Sequence, residues 1–142
     1  MSATPALRLT GVRKAFGRTV AVRGLNLEVR RGQIVGMLGP SGCGKTTVLR
    51  CIAGLERPDS GTVEIDGAVV AGPGLHVPAE RRRVGMVFQD YALFPHLSVR
   101  RNVEFGLASL SRRERIRAAD EALELVGLGR LGARARHELS GG

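Results

Sequence analysis

The sequence predicts an α/β fold, because strand-like and helix-like segments alternate along its 142 residues. A short apolar run at residues 33–38 leads through a glycine-rich loop into a helical segment at residues 45–53. Alternating apolar residues come before this unit and are typical of antiparallel strands. A segment with helical periodicity follows Ser111. The prediction is therefore an α/β core with an antiparallel N-terminal piece and a helical C-terminal part.

The N-terminal elements are predicted from the spacing of apolar residues. Apolar side chains alternate over residues 7–12 and again over residues 25–29, which predicts two strands joined by a turn at residues 16–18. The run at residues 33–38 is almost continuously apolar, as in a parallel strand buried on both faces. The following helix is predicted to end at Gly54, since glycine readily adopts the left-handed conformation that terminates helices.

Turn chemistry predicts a hairpin in the middle of the chain. Asp66 and Gly67 stand between strand-like residues 62–65 and 68–70, and Asp-Gly is a favoured two-residue hairpin turn. Residues 72–78 are predicted to form a loop, and residues 84–88 a second short buried strand.

The C-terminal third is predicted to be helical from about Val99 onward. Residues 91–98 have little periodicity and are expected to form a surface segment. Ser111 and Glu114 have the spacing of a capping box, and apolar residues then recur at helical intervals until about Gly127.

Composition argues against several classes of protein. The net charge of +9 comes almost wholly from arginines spread along the chain, so a solvated surface is favoured and no nucleic-acid partner is expected. Two cysteines are too few for a disulfide framework and lack zinc-site spacing. No apolar run approaches the length of a membrane span, and no secretory signal is recognised at the start. The chain is expected to remain in the cytoplasm.

The strongest motif is a phosphate-binding loop. The residues Gly39, Pro40, Ser41, Gly42, Cys43, Gly44, Lys45 and Thr46 fit the pattern G-x-x-x-x-G-K-[ST] between a predicted strand and a predicted helix. Glycines allow the backbone N–H groups of such a loop to point into one concavity, and the helix N-terminus adds partial positive charge. The sequence therefore predicts a P-loop NTPase core that binds a nucleotide.

Each polar side chain of this loop has a predicted role. Lys45 is expected to reach the β- and γ-phosphates of ATP, and the Thr46 hydroxyl is expected to ligate the Mg²⁺ that bridges them. Thr47 is a further candidate phosphate contact. Kinases, GTPases, motors and transport ATPases share the P-loop, so this motif alone does not identify the reaction.

Four motifs in order resemble the nucleotide-binding domain of ABC ATPases. They are Phe16-Gly17, the P-loop, the segment Val87-Phe88-Gln89-Asp90 and the terminal Leu139-Ser140-Gly141-Gly142. The resemblance covers almost the whole chain. It implies a partial nucleotide-binding domain over residues 1–142, incomplete at the C-terminus, with an ATP-binding core at about 1–90. The Q-loop and helical subdomain would occupy about 91–142 and end within the signature motif.

The resemblance also assigns roles to residues outside the P-loop. Phe16 matches the aromatic residue that stacks on adenine, and an aromatic ring on a turn offers a π-face to a base. Gln89 matches the Q-loop glutamine, which is implied to ligate Mg²⁺, to act in catalysis and to signal to membrane subunits. Ser140, Gly141 and Gly142 match the start of the signature motif, which binds the γ-phosphate of ATP held by the other subunit of a dimer. His96 and His137 match no catalytic position and are expected at the surface.

The segment from Arg81 to Leu97 resembles the importer branch of the family, which serves ferric iron, polyamines, maltose-type sugars or inorganic anions. Residues 72–83, which include His76, Val77 and Pro78, favour ferric iron or spermidine/putrescine among these solutes. The implied function is an ATP-binding subunit that couples ATP hydrolysis to solute import at the cytoplasmic face of the membrane, with ferric iron or a polyamine as the favoured solute. Implied partners are transmembrane permease subunits docking near residues 91–97, a second nucleotide-binding subunit and an external solute-binding protein.

Two alternatives remain open from the sequence. One is a soluble ABC-type ATPase that acts on DNA or ribosomes, which is disfavoured because only about fifty residues separate Gln89 from Ser140. The other is an inactive nucleotide-binding fragment. The family's remaining catalytic motifs lie beyond the signature motif, so residues 1–142 alone are expected not to hydrolyse ATP.

Overall fold

A computed structural model describes residues 4–89 and 92–139 of the chain. These residues form two compact units, one ending at Met86 and the other beginning at Val87. Within the described residues, no helix is both long enough and apolar enough to cross a bilayer.

The first unit is built on a five-stranded antiparallel sheet with strand order β2-β1-β3-β4-β5. The two long strands form the predicted N-terminal hairpin, which turns at Gly17 with a positive φ of 57°. The second hairpin turns at Asp66 and Gly67, where φ is 50° and 80°, as a type I′ turn requires. The strands are β1 Leu7–Phe16, β2 Thr19–Val29, β3 Ser60–Ile65, β4 Ala68–Gly72 and β5 Leu75–His76.

The predicted loop at residues 72–78 is wrong in part, because it contains the short strand β5. Ala71 pairs with His76 and Gly72 pairs with Leu75 across a tight reversal at the sheet edge. Two residues are too few to give an alternating apolar pattern, so the sequence contains no periodicity from which this strand could be predicted.

Helix α1, Lys45–Ala53, packs against the sheet through its apolar face. Val48 joins the core formed by the strands, and Cys51 is completely buried. The helix ends as predicted at Gly54, which has a φ of 85°. The buried core cluster of this unit consists of Leu9, Val12, Val22, Val48, Val63, Val70 and Ala71.

The two predicted buried strands at residues 33–38 and 84–88 are not formed. Ile34 and Leu38 are 97% and 98% exposed, and Val87 is 95% exposed. A strand is stabilised by neighbours that take up its N–H and C=O groups, and no strand among the described residues pairs with either segment. Both segments have the apolar composition of buried strands. A strand forms only where neighbouring strands take up its backbone hydrogen bonds, and the described residues do not provide such neighbours.

The second unit is helical, as predicted from about Val99 onward. Helix α2, Val99–Phe105, is capped by the Ser98 hydroxyl, and α3, Arg112–Leu125, begins with the predicted capping box of Ser111 and Glu114. Ala119 and Leu123 of α3 are buried. The chain after α3 returns to α2, where the Val99 amide donates to the Arg134 carbonyl at 2.9 Å.

Candidate functional site

The glycine-rich loop runs from Gly39 to the start of α1 and requires glycine at specific positions. Gly39, Gly42 and Gly44 have φ values of 155°, 80° and 96°, conformations that side chains with a Cβ rarely adopt. A Cβ on Gly44 would overlap the carbonyl oxygen of Ala21, and one on Gly39 would lie 2.7 Å from the Cys43 sulfur. The loop is therefore packed closely against β2 and against itself, which only glycine permits.

Lys45 spans the loop that precedes it. Its Nζ donates to the carbonyl oxygens of Gly39 and Pro40 at 2.7 and 2.8 Å and lies 3.4 Å from the Cys43 sulfur. Lys45 is half-buried. The two hydrogen bonds to backbone carbonyls hold its ammonium group in place. A fixed cation beside a glycine-rich loop at a helix N-terminus is suited to bind phosphate oxygens.

The N-terminus of α1 strengthens this positive character. Gly44 caps the helix without any side-chain hydrogen bond, and the first turn contains no acidic residue. The first amides of a helix have no intrahelical acceptor, and the helix dipole places partial positive charge there. The positive end of α1 is therefore not neutralised by its own side chains. Thr46 is exposed and Thr47 half-buried in the same turn, so both hydroxyls belong to this region.

A cavity of about 630 Å³ adjoins the loop. One wall is the stretch of β2 from Val20 to Leu25, and the other is formed by the loop and the start of α1, including Lys45. The Cys43 thiol is exposed on this wall, whereas Cys51 lies on the buried side of α1. The cavity combines apolar strand residues with a cationic end, a composition compatible with a nucleotide.

Phe16 lies at the end of β1, beside the strand that forms the cavity wall. Its neighbour Ala15 pairs with Val20, which lines the cavity, and the Phe16 side chain is 49% exposed. The ammonium of Lys14 lies over the ring, 5.1 Å from its centroid. The predicted stacking residue is thus an accessible aromatic ring close to the edge of the cavity.

The other predicted site residues belong to the second unit or lie outside the described residues. Gln89 is exposed and belongs to the second unit. Asp90 and Tyr91, together with the signature residues Ser140, Gly141 and Gly142, fall outside the described residues, so their predicted roles remain predictions.

Part of the predicted docking segment packs onto α2. The Phe94 ring lies 4.4 Å from that of Phe105, measured between centroids. Asn102 anchors the Phe94 backbone by accepting from its amide at 2.9 Å and donating to its carbonyl at 3.2 Å. Leu93 remains 42% exposed. His96 and His137 are exposed, as predicted.

The sequence did not indicate the buried arginine Arg82, which is only 3% exposed. Its guanidinium donates to the Cys51 and Ile52 carbonyls at 2.7 and 3.0 Å and to the Val77 carbonyl at 2.6 Å, and it contacts His76 Nδ1. Burial lowers the pKa of Arg82. A cation at a helix C-terminus interacts favourably with the helix dipole. Arg82 therefore caps the end of the helix that begins at the glycine-rich loop.

The residues present are compatible with Mg²⁺ bound together with phosphate. Among residues 4–89 and 92–139, no cluster of three or more His, Cys, Asp or Glu side chains could hold a metal by itself. Magnesium is commonly held by only one or two protein groups together with substrate phosphates and water. The Thr46 hydroxyl, beside Lys45 in the first turn of α1, is a group that could serve in such a site.

Comparison with known proteins gives one family and many similar proteins. A family model described as "ABC transporter" matches residues 22–142. The chain is 54% identical over 134 residues to a spermidine/putrescine import ATP-binding protein of Methylococcus capsulatus. It is 51% identical over 133 residues to an Fe(3+) ions import ATP-binding protein of Rhizobium etli. Each alignment covers 92% of this chain but only 34% and 36% of the respective relatives, so the chain spans about a third of their length.

Solved structures of similar fold are also ATP-binding cassettes. A dimeric cassette in a post-hydrolysis state bound to ADP and Pi has a TM-score of 0.82 and 32% identity, and the match covers 94% of this chain and 63% of that one. A cassette from Clostridium perfringens that is part of an ABC transporter complex has a TM-score of 0.78 and 29% identity, covering 96% of this chain and 56% of that one.

Proposed function

Because this chain belongs to the ABC transporter family, we propose that it is the ATP-binding part of an importer subunit that couples ATP binding and hydrolysis to solute uptake. The observation that carries the proposal is the position of Lys45. Its ammonium is fixed by the Gly39 and Pro40 carbonyls at the positive end of α1, beside a cavity large enough for a nucleotide.

The triphosphate is bound by the loop from Gly39 to Thr46. The backbone amides and the helix N-terminus surround the phosphate oxygens, and Lys45 neutralises charge on the β- and γ-phosphates. Ser41 and Thr47 contribute hydroxyl groups at the edge of the loop. Phosphoryl transfer depends mainly on positioning and electrostatic stabilisation, so a preorganised loop of this kind supplies much of what the reaction needs.

Thr46 and Gln89 hold Mg²⁺ in this proposal. Magnesium bound there would supply positive charge that offsets the negative charge of the phosphates. Thr46 supplies a hydroxyl from the first turn of α1. Gln89 supplies an amide oxygen, takes part in catalysis and relays the state of the nucleotide to membrane subunits.

Phe16 binds the base. The half-exposed ring beside the cavity edge offers a stacking surface for adenine, and stacking on an aromatic side chain contributes about 1–3 kcal/mol per base in nucleic-acid sites. This contact makes no use of the phosphates, so its loss should affect ATP and ADP equally.

The partners follow from the import function. Permease subunits dock near residues 91–97, where exposed Leu93 stands beside the anchored Phe94, and hold this subunit at the cytoplasmic face of the membrane. A second nucleotide-binding subunit contacts Ser140, Gly141 and Gly142 through its bound ATP. An external solute-binding protein delivers the solute to the permease.

Ferric iron or a polyamine is the proposed solute. The similar curated proteins are named for spermidine/putrescine or Fe(3+) import, at 54% and 51% identity, values too close to favour one. His76 and Val77, in the segment that suggested these solutes, contact Arg82 within the first unit. They therefore serve the fold, and solute choice rests with the other subunits.

Reconstitution tests this proposal. The full-length protein would be assembled in liposomes with the permease and binding protein encoded beside it, and uptake of labelled Fe³⁺ and spermidine would be measured with internal ATP. We expect ATP-dependent uptake of one of the two, abolished by Lys45→Ala. ATP turnover that is unaffected by the permease and accompanied by no uptake would contradict the import function.

A further inference from the structure

Lys14 and Phe16 form a pair on one face of β1. Residues two positions apart in a strand point to the same side of the sheet, and the Lys14 ammonium lies over the Phe16 ring at 5.1 Å from its centroid. Such a cation is attracted by the electron-rich face of an aromatic ring. One face of Phe16 is therefore covered by Lys14, while the side chain as a whole remains 49% exposed.

Lys14 is held in place by several acceptors. Its Nζ lies 2.8 Å from a Glu56 carboxylate oxygen and 3.5 Å from one of Asp59, and it donates to the Arg57 carbonyl at 2.9 Å. Only 12% of the lysine side chain is exposed. The hydrogen bond to Glu56 is the main cause that raises the pKa of Lys14. This lysine is a fixed part of the structure, unlike an ordinary surface lysine.

The acceptors are themselves attached to β1. The Asp59 amide donates to the Arg13 carbonyl at 2.8 Å, and the Asp59 carboxylate accepts from the Ala15 amide at 2.7 Å. That hydrogen bond is the main cause that lowers the pKa of Asp59. The segment that follows α1 is thereby bound to the strand on both sides of Lys14, and it fixes the cation relative to the ring.

We propose that Lys14 is a positioning residue for nucleotide binding: it occupies one face of Phe16 and turns the other face toward the base of a purine nucleotide. This inference rests on the proposed function, since it assumes that Phe16 stacks on the base. Because Lys14 covers one face of the Phe16 ring, only the other face is available for stacking. The base can therefore stack on Phe16 from one side only. The cation also withdraws electron density from the ring, which favours an offset-stacked, electron-rich purine.

The test compares ligands that contain a base with one that does not. Binding of ATP, ADP and inorganic triphosphate to the full-length protein would be measured by calorimetry for Lys14→Met and Lys14→Arg. Lys14→Met retains the aliphatic stem but removes the cation, and we expect it to weaken ATP and ADP about two- to fivefold, the range of an exposed cation–π contact. Binding of triphosphate should not change. Lys14→Arg retains a cation at this position, so we expect it to bind ATP with the wild-type affinity.

Two further variants separate positioning from general stability. Arg8 lies on the same strand as Lys14 but at its other end, away from Phe16. Arg8→Met removes ion pairs to Glu28 of β2 and Glu64 of β3, and it should leave the ratio of ATP to triphosphate affinity unchanged. In a Phe16→Ala background, Lys14→Met should produce no further loss, because its effect acts through the ring.

Each remaining outcome overturns the inference. If Lys14→Met lowers the melting temperature but leaves the ratio of ATP to triphosphate affinity at the wild-type value, Lys14 is only structural. If Phe16→Ala also leaves that ratio unchanged, the base does not stack on Phe16, although the phosphate site still stands. If the wild-type protein binds neither ATP nor triphosphate, the proposed function itself fails.

Discussion

Lys45 is the residue on which the proposed phosphate binding should depend most directly. Lys45→Ala removes the ammonium that bonds to the Gly39 and Pro40 carbonyls and that would contact the phosphates. A charge-assisted contact of this kind contributes about 2 kcal/mol, so we expect ATP-Mg²⁺ to bind roughly 30-fold more weakly by calorimetry. Arg50→Ala, an exposed cation later in the same helix, is the matched control. An unchanged affinity for Lys45→Ala would contradict the phosphate-site assignment.

The two cysteines provide a chemical test of the same site. Cys43 is exposed on the cavity wall beside Lys45, whereas Cys51 is fully buried and burial raises the pKa of its thiol. Because the thiolate is the reactive species, Cys43 should be alkylated much faster than Cys51. ATP should slow alkylation of Cys43 by covering the loop. Mass spectrometry after a short pulse of iodoacetamide measures both rates, and equal labelling or absence of protection by ATP would be inconsistent with the predicted site.

Sequence patterns predict those site residues that belong to a local motif. The P-loop pattern requires glycine for backbone reasons, and Gly39 and Gly44, which the spacing singles out, have φ values of 155° and 96°. Arg82 was not predicted, because it lies between Arg81 and Arg83 and nothing in a run of arginines shows which member is buried. The contacts of Lys14 also join residues about forty positions apart, which local periodicity cannot reveal.

Helix α1 connects the site to the rest of the first unit. Its N-terminus adjoins the glycine-rich loop of the proposed phosphate site, and its C-terminus is capped by Gly54 and by Arg82, which donates to the Cys51 and Ile52 carbonyls. Gly54 is required here, because a Cβ would lie 2.5 Å from Arg82 Nε. Both ends of one short helix are therefore fixed by specific contacts, which favours a constant position of the loop.

Removal of the Arg82 cap should destabilise α1. Arg82→Met leaves two helix carbonyls and the Val77 carbonyl without their buried donor, and loss of hydrogen bonds from a charged group costs about 2–4 kcal/mol in such a setting. We expect faster amide hydrogen exchange in the last turn of α1 and a lower melting temperature. Arg81→Met, a neighbouring exposed residue, is the control. If amide hydrogens in the last turn of α1 exchange at the same rate in both variants, the hydrogen bonds of Arg82 do not stabilise this end of the helix.

The elements differ in how far the sequence determines them. The hairpins, α1 and α3 formed as predicted, because their turns and caps are specified by residues within a few positions of each other. The segments at residues 33–38 and 84–88 have the composition of buried strands but did not form them. A strand needs partners that local sequence does not specify, and exposed Ile34 and Leu38 show the consequence when none of the described residues provides one.

At the scale of the whole molecule, the exposed apolar segments should limit the solubility of residues 1–142. Ile34, Leu38 and Val87 are almost fully exposed, and Val35 is 41% exposed. Unpaired apolar backbone of this kind is a template for strand pairing between molecules. Among the described residues, no strand of the antiparallel sheet pairs with residues 33–38.

We therefore expect residues 1–142 expressed alone to be poorly soluble and unable to hydrolyse ATP. Exposed Ile34 and Leu38 favour aggregation, and the family resemblance places the carboxylates that hold Mg²⁺ through water and position the attacking water beyond Gly142. Their absence should leave only background turnover, because phosphoryl transfer depends on electrostatic positioning. The measurement compares this polypeptide with one extended through the natural downstream sequence, by solubility, cooperative melting and phosphate release. Ile34→Lys with Leu38→Lys in residues 1–142 is a matched variant that should raise solubility without restoring turnover. A soluble, cooperatively melting wild-type fragment with the ATPase rate of the extended protein would refute both expectations.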